Sequence, residues 1–256
     1  MATVTAVALP ALPEVAPGDE LAALVAAAWR ALAAEEGELA PRAGDVLVVT
    51  QKVVSKAEGR VVDLRTIEPR REAVEFAAAW ERDARQVEVV LRESAAILRM
   101  ERGIIVSRTH HGFVCANAGV DASNTGVAET VTLLPLDPDA SAAALRERLA
   151  ELLGVAPIVL ISDSFGRPWR FGIVDVCLGI AGAAPLDDQR GRPDADGRVM
   201  RSTIVALADE ICSAAELAAG KVSRRPVVLV RGVELPAGPG SVRGDVVMPP
   251  EMDLFQ

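Results

Sequence analysis

Tyrosine is absent from this 256-residue chain, histidine occurs twice and lysine only three times. Cysteine is scarce as well: Cys115, Cys177 and Cys212 are an odd, scattered set with no C-x-x-C pair. Neither a disulfide framework nor a cysteine zinc site is supported, and the three thiols read as small buried apolar groups. With His110 and His111 as the whole histidine complement and no G-x-S-x-G elbow, a serine-hydrolase triad has little to build on. The longest apolar runs, such as PIVLI and PVVLV, are strand-sized, so no transmembrane helix is expected. The opening MATVTAVALPALPEVAPGDE lacks the basic region of a secretion signal, which makes the cytoplasm the expected location. A net charge of −9 argues against nucleic acid or an anionic membrane as partner, while leaving room for a local cationic pocket.

Half of the residues are apolar and a quarter charged, the composition of a globular protein. At this length the chain can bury roughly 70–75% of its unfolded surface, enough for a core without staples. Residues 3 to 9 alternate like a strand, and DELAALVAAAWRALAAEEG reads as a helix with Asp19 at its N-cap and Gly37 as its stop. DVLVVT reads as a strand, QKVVSKAEG as a polar-edged strand or a loop, RVVDL as a strand, and residues 69 to 99 as helix-rich. GIIVS and GFVCANAG suggest a hairpin turning near Thr109, His110 and His111. SAAALRERLAELLG is an amphipathic helix, PIVLIS a strand, FGIVDVCLGIAGA an apolar segment, STIVALADEICSAAELAAG a second helix and PVVLVRG a strand. These patterns predict an α/β protein, mixed α+β, with mixed sheets in a single domain of two lobes.

Polar clusters follow several of these strands, which is where α/β proteins place their sites. Gln51, Lys52, Ser55 and Lys56 follow DVLVVT. Two lysines four apart lie about 13 Å apart along a strand, so they converge on a phosphate only where the backbone turns or is helical. Asp121, Ser123 and Asn124 form a turn or a ligand set. In ISDSFGRPWR, Asp163 and Ser164 offer oxygen to a hard cation such as Mg²⁺ or Mn²⁺, and Arg167 and Arg170 could hold a carboxylate or phosphate. His111 could touch substrate. Known nucleotide signatures fail: Ala215 stands where a Walker loop needs its first glycine and Val222 where it needs Ser or Thr, and GPGSVRG has the wrong spacing for a dinucleotide fold.

Taken in order, LPEVAPGDEL, GDVLVV, QKVVSKAEGR, CANAGVDASN, ISDSFGRPWRFG, ADEI and PVVLVRG resemble the coenzyme F-420:γ-glutamyl ligases over about residues 5 to 235. The resemblance implies a two-lobed homodimeric enzyme that uses GTP to add L-glutamate to the deazaflavin precursor F-420-0 through an acyl phosphate. It implies two Mg²⁺ or Mn²⁺ sites, with K⁺ as a further cation, and metal ligands at Asp121, Asp163 and Ser164. It implies GTP contacts at Leu12, Pro13, Glu14, Val15, Gln51, Lys52, Lys56 and Asn124, and along Ala219, Gly220, Lys221, Val222 and Ser223. The nitroreductase-like domain that some relatives carry is not within these 256 residues. Two departures stand out: one relative carries an acidic residue near the place of Lys221, and many relatives carry Tyr-Gly where this chain has Asp196-Gly197. A metal-dependent phosphohydrolase and a nucleotide-sensing module are the alternatives.

Overall fold

The computed structural model describes residues 3–123, 127–220 and 223–254. In chain order its main elements are β1 (Thr5–Ala8), α1 (Leu21–Glu35), β2 (Val46–Thr50), α2 (Gln51–Ala57), β3 (Val61–Asp63), α3 (Arg71–Trp80), α4 (Ala84–Arg92), β4 (Ser94–Glu101), β5 (Ile104–Thr109) and β6 (Val114–Ala116). There follow β7 (Thr130–Thr132), α5 (Pro138–Leu153), β8 (Ile158–Arg167), β9 (Arg170–Ala181), β10 (Asp187–Asp188), β11 (Ile204–Val205), α6 (Leu207–Ala219) and β12 (Val227–Arg231).

The central sheet has the order β1-β12-β2-β8-β9, with β2 and β8 parallel and the other pairs antiparallel. Successive side chains leave a strand on opposite faces, and both faces of this sheet are covered, so its strands read as unbroken apolar runs. Leu47, Val49, Val159, Ile161 and Leu229 face one way and pack with Trp29 of α1 and Leu149 of α5. Val46, Val48, Leu160, Val228 and Val230 face the other way and pack with Ile211 and Cys212 of α6. The expected mixed α/β architecture is therefore present. At the far end of the sheet Arg231 forks onto buried Asp45, with Nε–Oδ1 at 2.6 Å and Nη2–Oδ2 at 2.8 Å.

A separate core forms where α3 and α4 pack on β5 and β7, around Phe76, Val87, Val90, Leu91, Ile105 and Val131. Glu88 of α4 is buried there between two arginines, bonded to Arg70 Nε at 2.9 Å and to Arg92 Nε at 2.7 Å. Its carboxyl is drawn down to about 2, first by the Arg70 hydrogen bond, against the opposing cost of burial. Among the described residues, no helix is long and apolar enough to cross a membrane.

Several local expectations are corrected. QKVVSK is the helix α2, not a strand edge or loop, because Thr50 ends β2 and the chain turns to bury Val54 in the α1/α5 core. Burial of that one apolar face outweighs the strand preference of its two valines. The first helix is capped by Glu20, which accepts from Ala23 N at 2.7 Å, while Asp19 accepts from Ala16 N in the preceding turn. Residues 94–99 belong to β4, paired with β5, so the helix-rich stretch stops at Arg92. The second helix begins only at Leu207, since Ile204–Val205 pair with Asp187–Asp188.

The largest correction concerns ISDSFGRPWR. The strand does not end at Ser162; β8 runs on to Arg167 and pairs with β9 up to Arg170. What ends is its neighbour, because Thr50↔Ser162 is the last β2 pair. Beyond that point the β8–β9 ribbon projects past the sheet, and the space left beside it is the mouth of the site.

Candidate functional site

A cleft of about 390 Å³ opens where β2 turns into α2. The ribbon forms one wall through Ser162, Asp163, Ser164 and Asp175, and α2 forms another through Lys52, Val53 and Lys56. The segment Leu12 to Val15 and the end of α6, with Arg224 and Arg225 after it, complete the rim.

The helical form of QKVVSK is what makes a pair of its lysines. One turn of helix separates residues 52 and 56 by about 6 Å along the axis, on one face, where a strand would have set them more than twice as far apart. Lys52 Nζ donates to Asp121 Oδ2 at 2.6 Å, to Ser123 O at 2.7 Å and to Ser123 Oγ at 3.0 Å. Lys56 is buried and ion-paired with exposed Glu14. Asp121 is fixed from behind by its backbone, with N donating to Thr132 O at 3.0 Å and O accepting from Thr132 N at 2.8 Å. Burial alone would raise its carboxyl; the Lys52 ammonium and the Ser123 N–H and hydroxyl outweigh that and hold it below the usual carboxylate range.

Asp163 stands in the opposite condition. Burial first, and then the charges of Asp175 and Asp121, push its carboxyl up to about 7, against the smaller opposing pull of Ser164 N–H and Lys52. Asp175 on β9 lies in register opposite Ser164. Its Oδ1 accepts from Ser164 Oγ at 2.6 Å and its Oδ2 from Ser162 Oγ at 2.9 Å.

These side chains offer only oxygen, and Asp163 shows that the corner holds more negative charge than Lys52 offsets. Such a donor set fits a hard divalent cation. Among the described residues, no three His, Cys, Asp or Glu side chains are gathered around one point as a metal centre. Lys52, with three oxygens on its ammonium, takes the cation's part at Asp121.

Leu12, Pro13, Glu14, Val15, Lys52, Lys56, Asp121, Asp163, Ser164, Ala219 and Gly220 are brought together around this cleft. Others are not. Gln51 is buried with Oε1 accepting from Ser55 Oγ at 2.7 Å and lies outside the lining. Ser223 turns its hydroxyl to Ala219 O. Arg167 donates to Phe171 O at 3.1 Å, and Arg170 pairs with it at the tip of the ribbon. At about 3.3 Å per residue that tip lies more than 10 Å along the strand from Asp163. His111 is stacked on Phe113 with its Nε2 2.8 Å from Pro135 O, and burial lowers its pKa. Asn124, Lys221 and Val222 lie outside the described residues.

Asp175, Glu216, Arg224 and Arg225 line the cleft without having been singled out in the sequence. For Asp175 a signal existed: it is the lone carboxylate within the otherwise apolar run FGIVDVCLGIAG. A buried strand keeps a carboxylate only where something satisfies it. Arg224 and Arg225 precede Pro226 and the buried strand β12, another polar-to-apolar junction.

Comparison with known proteins agrees with the ordered motifs. The family described as F420-0:Gamma-glutamyl ligase matches residues 11–232. The coenzyme F420:L-glutamate ligase of Methanothermobacter thermautotrophicus is 40% identical over 253 residues, covering 96% of this chain and 96% of that protein. The protein of the same name from Methanopyrus kandleri is 43% identical over 248 residues, covering 95% and 94%. The one from Methanocaldococcus jannaschii is 40% identical over 214 residues, covering 83% and 85%.

Proposed function

The chain belongs to the F420-0:gamma-glutamyl ligase family, and from that premise we propose that it joins L-glutamate to a deazaflavin coenzyme precursor at the expense of GTP. The observation that carries the reading is the pairing, in one cleft, of a two-lysine helix face with an oxygen-rich wall of Asp121, Asp163 and Ser164. Phosphate needs the first and a divalent cation the second.

A carboxylate is too stable to accept an amine directly. In the proposed reaction the terminal carboxylate of the precursor attacks the γ-phosphorus of GTP, giving an acyl phosphate and GDP. The amine of glutamate then attacks the acyl carbon; inorganic phosphate leaves, the nitrogen loses a proton and the amide remains. In this reaction no protein nucleophile takes part. Lys56, held by Glu14, and Lys52, held by Asp121, would bind phosphate oxygens as compact point charges. Asp121, Asp163 and Ser164 would hold Mg²⁺ or Mn²⁺, which when bound neutralises phosphate charge and orients the transferred group. The segment Leu12 to Val15 and the end of α6 would enclose the nucleotide.

Incubation with GTP, Mn²⁺ or Mg²⁺, L-glutamate and F-420-0, read by mass spectrometry, tests the proposal. A product heavier by one or more glutamyl units, formed only with GTP, is expected. Phosphate release that ignores glutamate would replace it with a phosphohydrolase, and binding without turnover would replace it with a nucleotide sensor.

A further inference from the structure

Asp175 has no role in the reaction as set out above, yet it is buried, lines the cleft and touches the wall assigned to the cation. Its backbone is held firmly. Ser213 Oγ of α6 donates to Asp175 O at 2.8 Å, and two residues on, Cys177 N donates to Asp209 Oδ1 at 2.8 Å. Helix α6 thus clamps β9 at this point, and the in-register pairing with β8 sets Asp175 and Ser164 side by side on one face. Its two oxygens are divided between the two serines, with the shorter contact, 2.6 Å, to Ser164.

A hydroxyl has one proton to give and lone pairs to accept with. The Ser164 proton is committed to Asp175, so toward the cleft this oxygen can only accept. An accepting oxygen attracts a cation or an N–H group and repels the oxygens of a phosphate. The hydrogen bond to a carboxylate also increases the electron density on the serine oxygen, as partners behind metal ligands do generally. We infer that Asp175 is a positioning residue that fixes Ser164 as an acceptor-only oxygen and thereby makes this edge of the cleft a divalent-cation position instead of a phosphate-binding one. The inference rests on the divalent-ion part of the function proposed above and adds a residue and a polarity to it.

The test follows Mn²⁺ binding to the full chain through the electron paramagnetic resonance signal of free Mn²⁺, with and without GDP, beside the affinity for a fluorescent GDP analogue in metal-free buffer. Asp175→Asn should weaken Mn²⁺ binding at least about tenfold. Metal-free nucleotide affinity should stay within about twofold, a separation that general loosening of the cleft would not give. Ser164→Ala should weaken Mn²⁺ comparably, and the double variant should add less than about twofold, because the two side chains act as one unit. Wild-type Mn²⁺ affinity in folded Asp175→Asn, or additive losses in the double variant, overturns the inference and leaves the divalent-ion reading standing. Absence of Mn²⁺ binding by the wild type, with GDP as well as without, overturns both. Should Asp175→Asn fail to fold, Ser164→Thr, which keeps the proton donor, must bind Mn²⁺ as the wild type does and Ser164→Ala must not; equal binding by the two overturns the inference.

Discussion

Glu88 in the α3–α4 region is buried between two guanidiniums and Asp163 in the cleft is partly buried beside two carboxylates, and their surroundings drive them in opposite directions. Glu88 meets the guanidiniums of Arg70 and Arg92 and is drawn down to about 2. Asp163 meets burial and two further carboxylates and is pushed up to about 7. The first arrangement is complete within the protein and holds a helix pair in place. The second gathers Asp175 and Asp121 around Asp163, with Lys52 as the cation acting on it. Burial raises both carboxyls; at Glu88 the arginine hydrogen bonds outweigh it, whereas at Asp163 it is the largest cause and the nearby carboxylates add to it.

Asp163→Asn should leave the chain folded and lower glutamyl transfer at least about a hundredfold, since several kcal/mol of charge stabilisation at about 1.4 kcal/mol per decade would be lost. Steady-state assays beside a circular dichroism spectrum check it; near-normal turnover in a folded variant would sink the assignment. Glu88→Gln should do the reverse. Because Arg70 and Arg92 are each about half exposed, loss of the pair should cost about 2 kcal/mol of stability, read by urea denaturation, with turnover of the folded enzyme unchanged.

The two groups should also respond to pH with opposite signs. Glu88 is lowered from an ordinary value of 4.5, so its contribution is present above that pH and fades as pH falls toward 2. Asp163 is raised from an ordinary 3.8, so its contribution is present below that pH and is lost as pH rises through 7. In metal-free buffer the stability gap between Asp163→Asn and the wild type should therefore widen in favour of the variant by about 2 kcal/mol between pH 5 and pH 8. A constant gap would show that Asp163 is not held up by its surroundings. The smallest effect is expected at Lys56. Lys56→Arg keeps the charge but brings a planar, bulkier group into a buried position, and should raise the KM for GTP several-fold with little change in kcat. An unchanged KM would remove Lys56 from the nucleotide site.

Much of this was legible before the fold was known. VLVV, IVLI and VVLV announced strands buried on both faces, and the ordered motifs carried the family. What local pattern could not supply was any decision resting on distant partners. QKVVSK looked extended because two valines favour strands, and it became a helix because Val54 had a core to enter. Asp163 looked like the end of a strand because its apolar run stopped there, although it was the neighbouring strand that ended. Arg167 and Arg170, close to Asp163 in sequence, were carried away from it by the extended rise of the β8–β9 ribbon.

The sequence by itself determined which segments are apolar enough to be buried and which polar residues interrupt them, since these depend on side-chain type and spacing alone. Only the tertiary structure decided that Lys52 would meet Asp121 across 69 residues, Lys56 meet Glu14 across 42, and Ser164 give its proton to Asp175. Those pairings depend on strand register and on the helices clamped against it. Such constraints arise from the packing of the whole chain and are written in no single stretch of it.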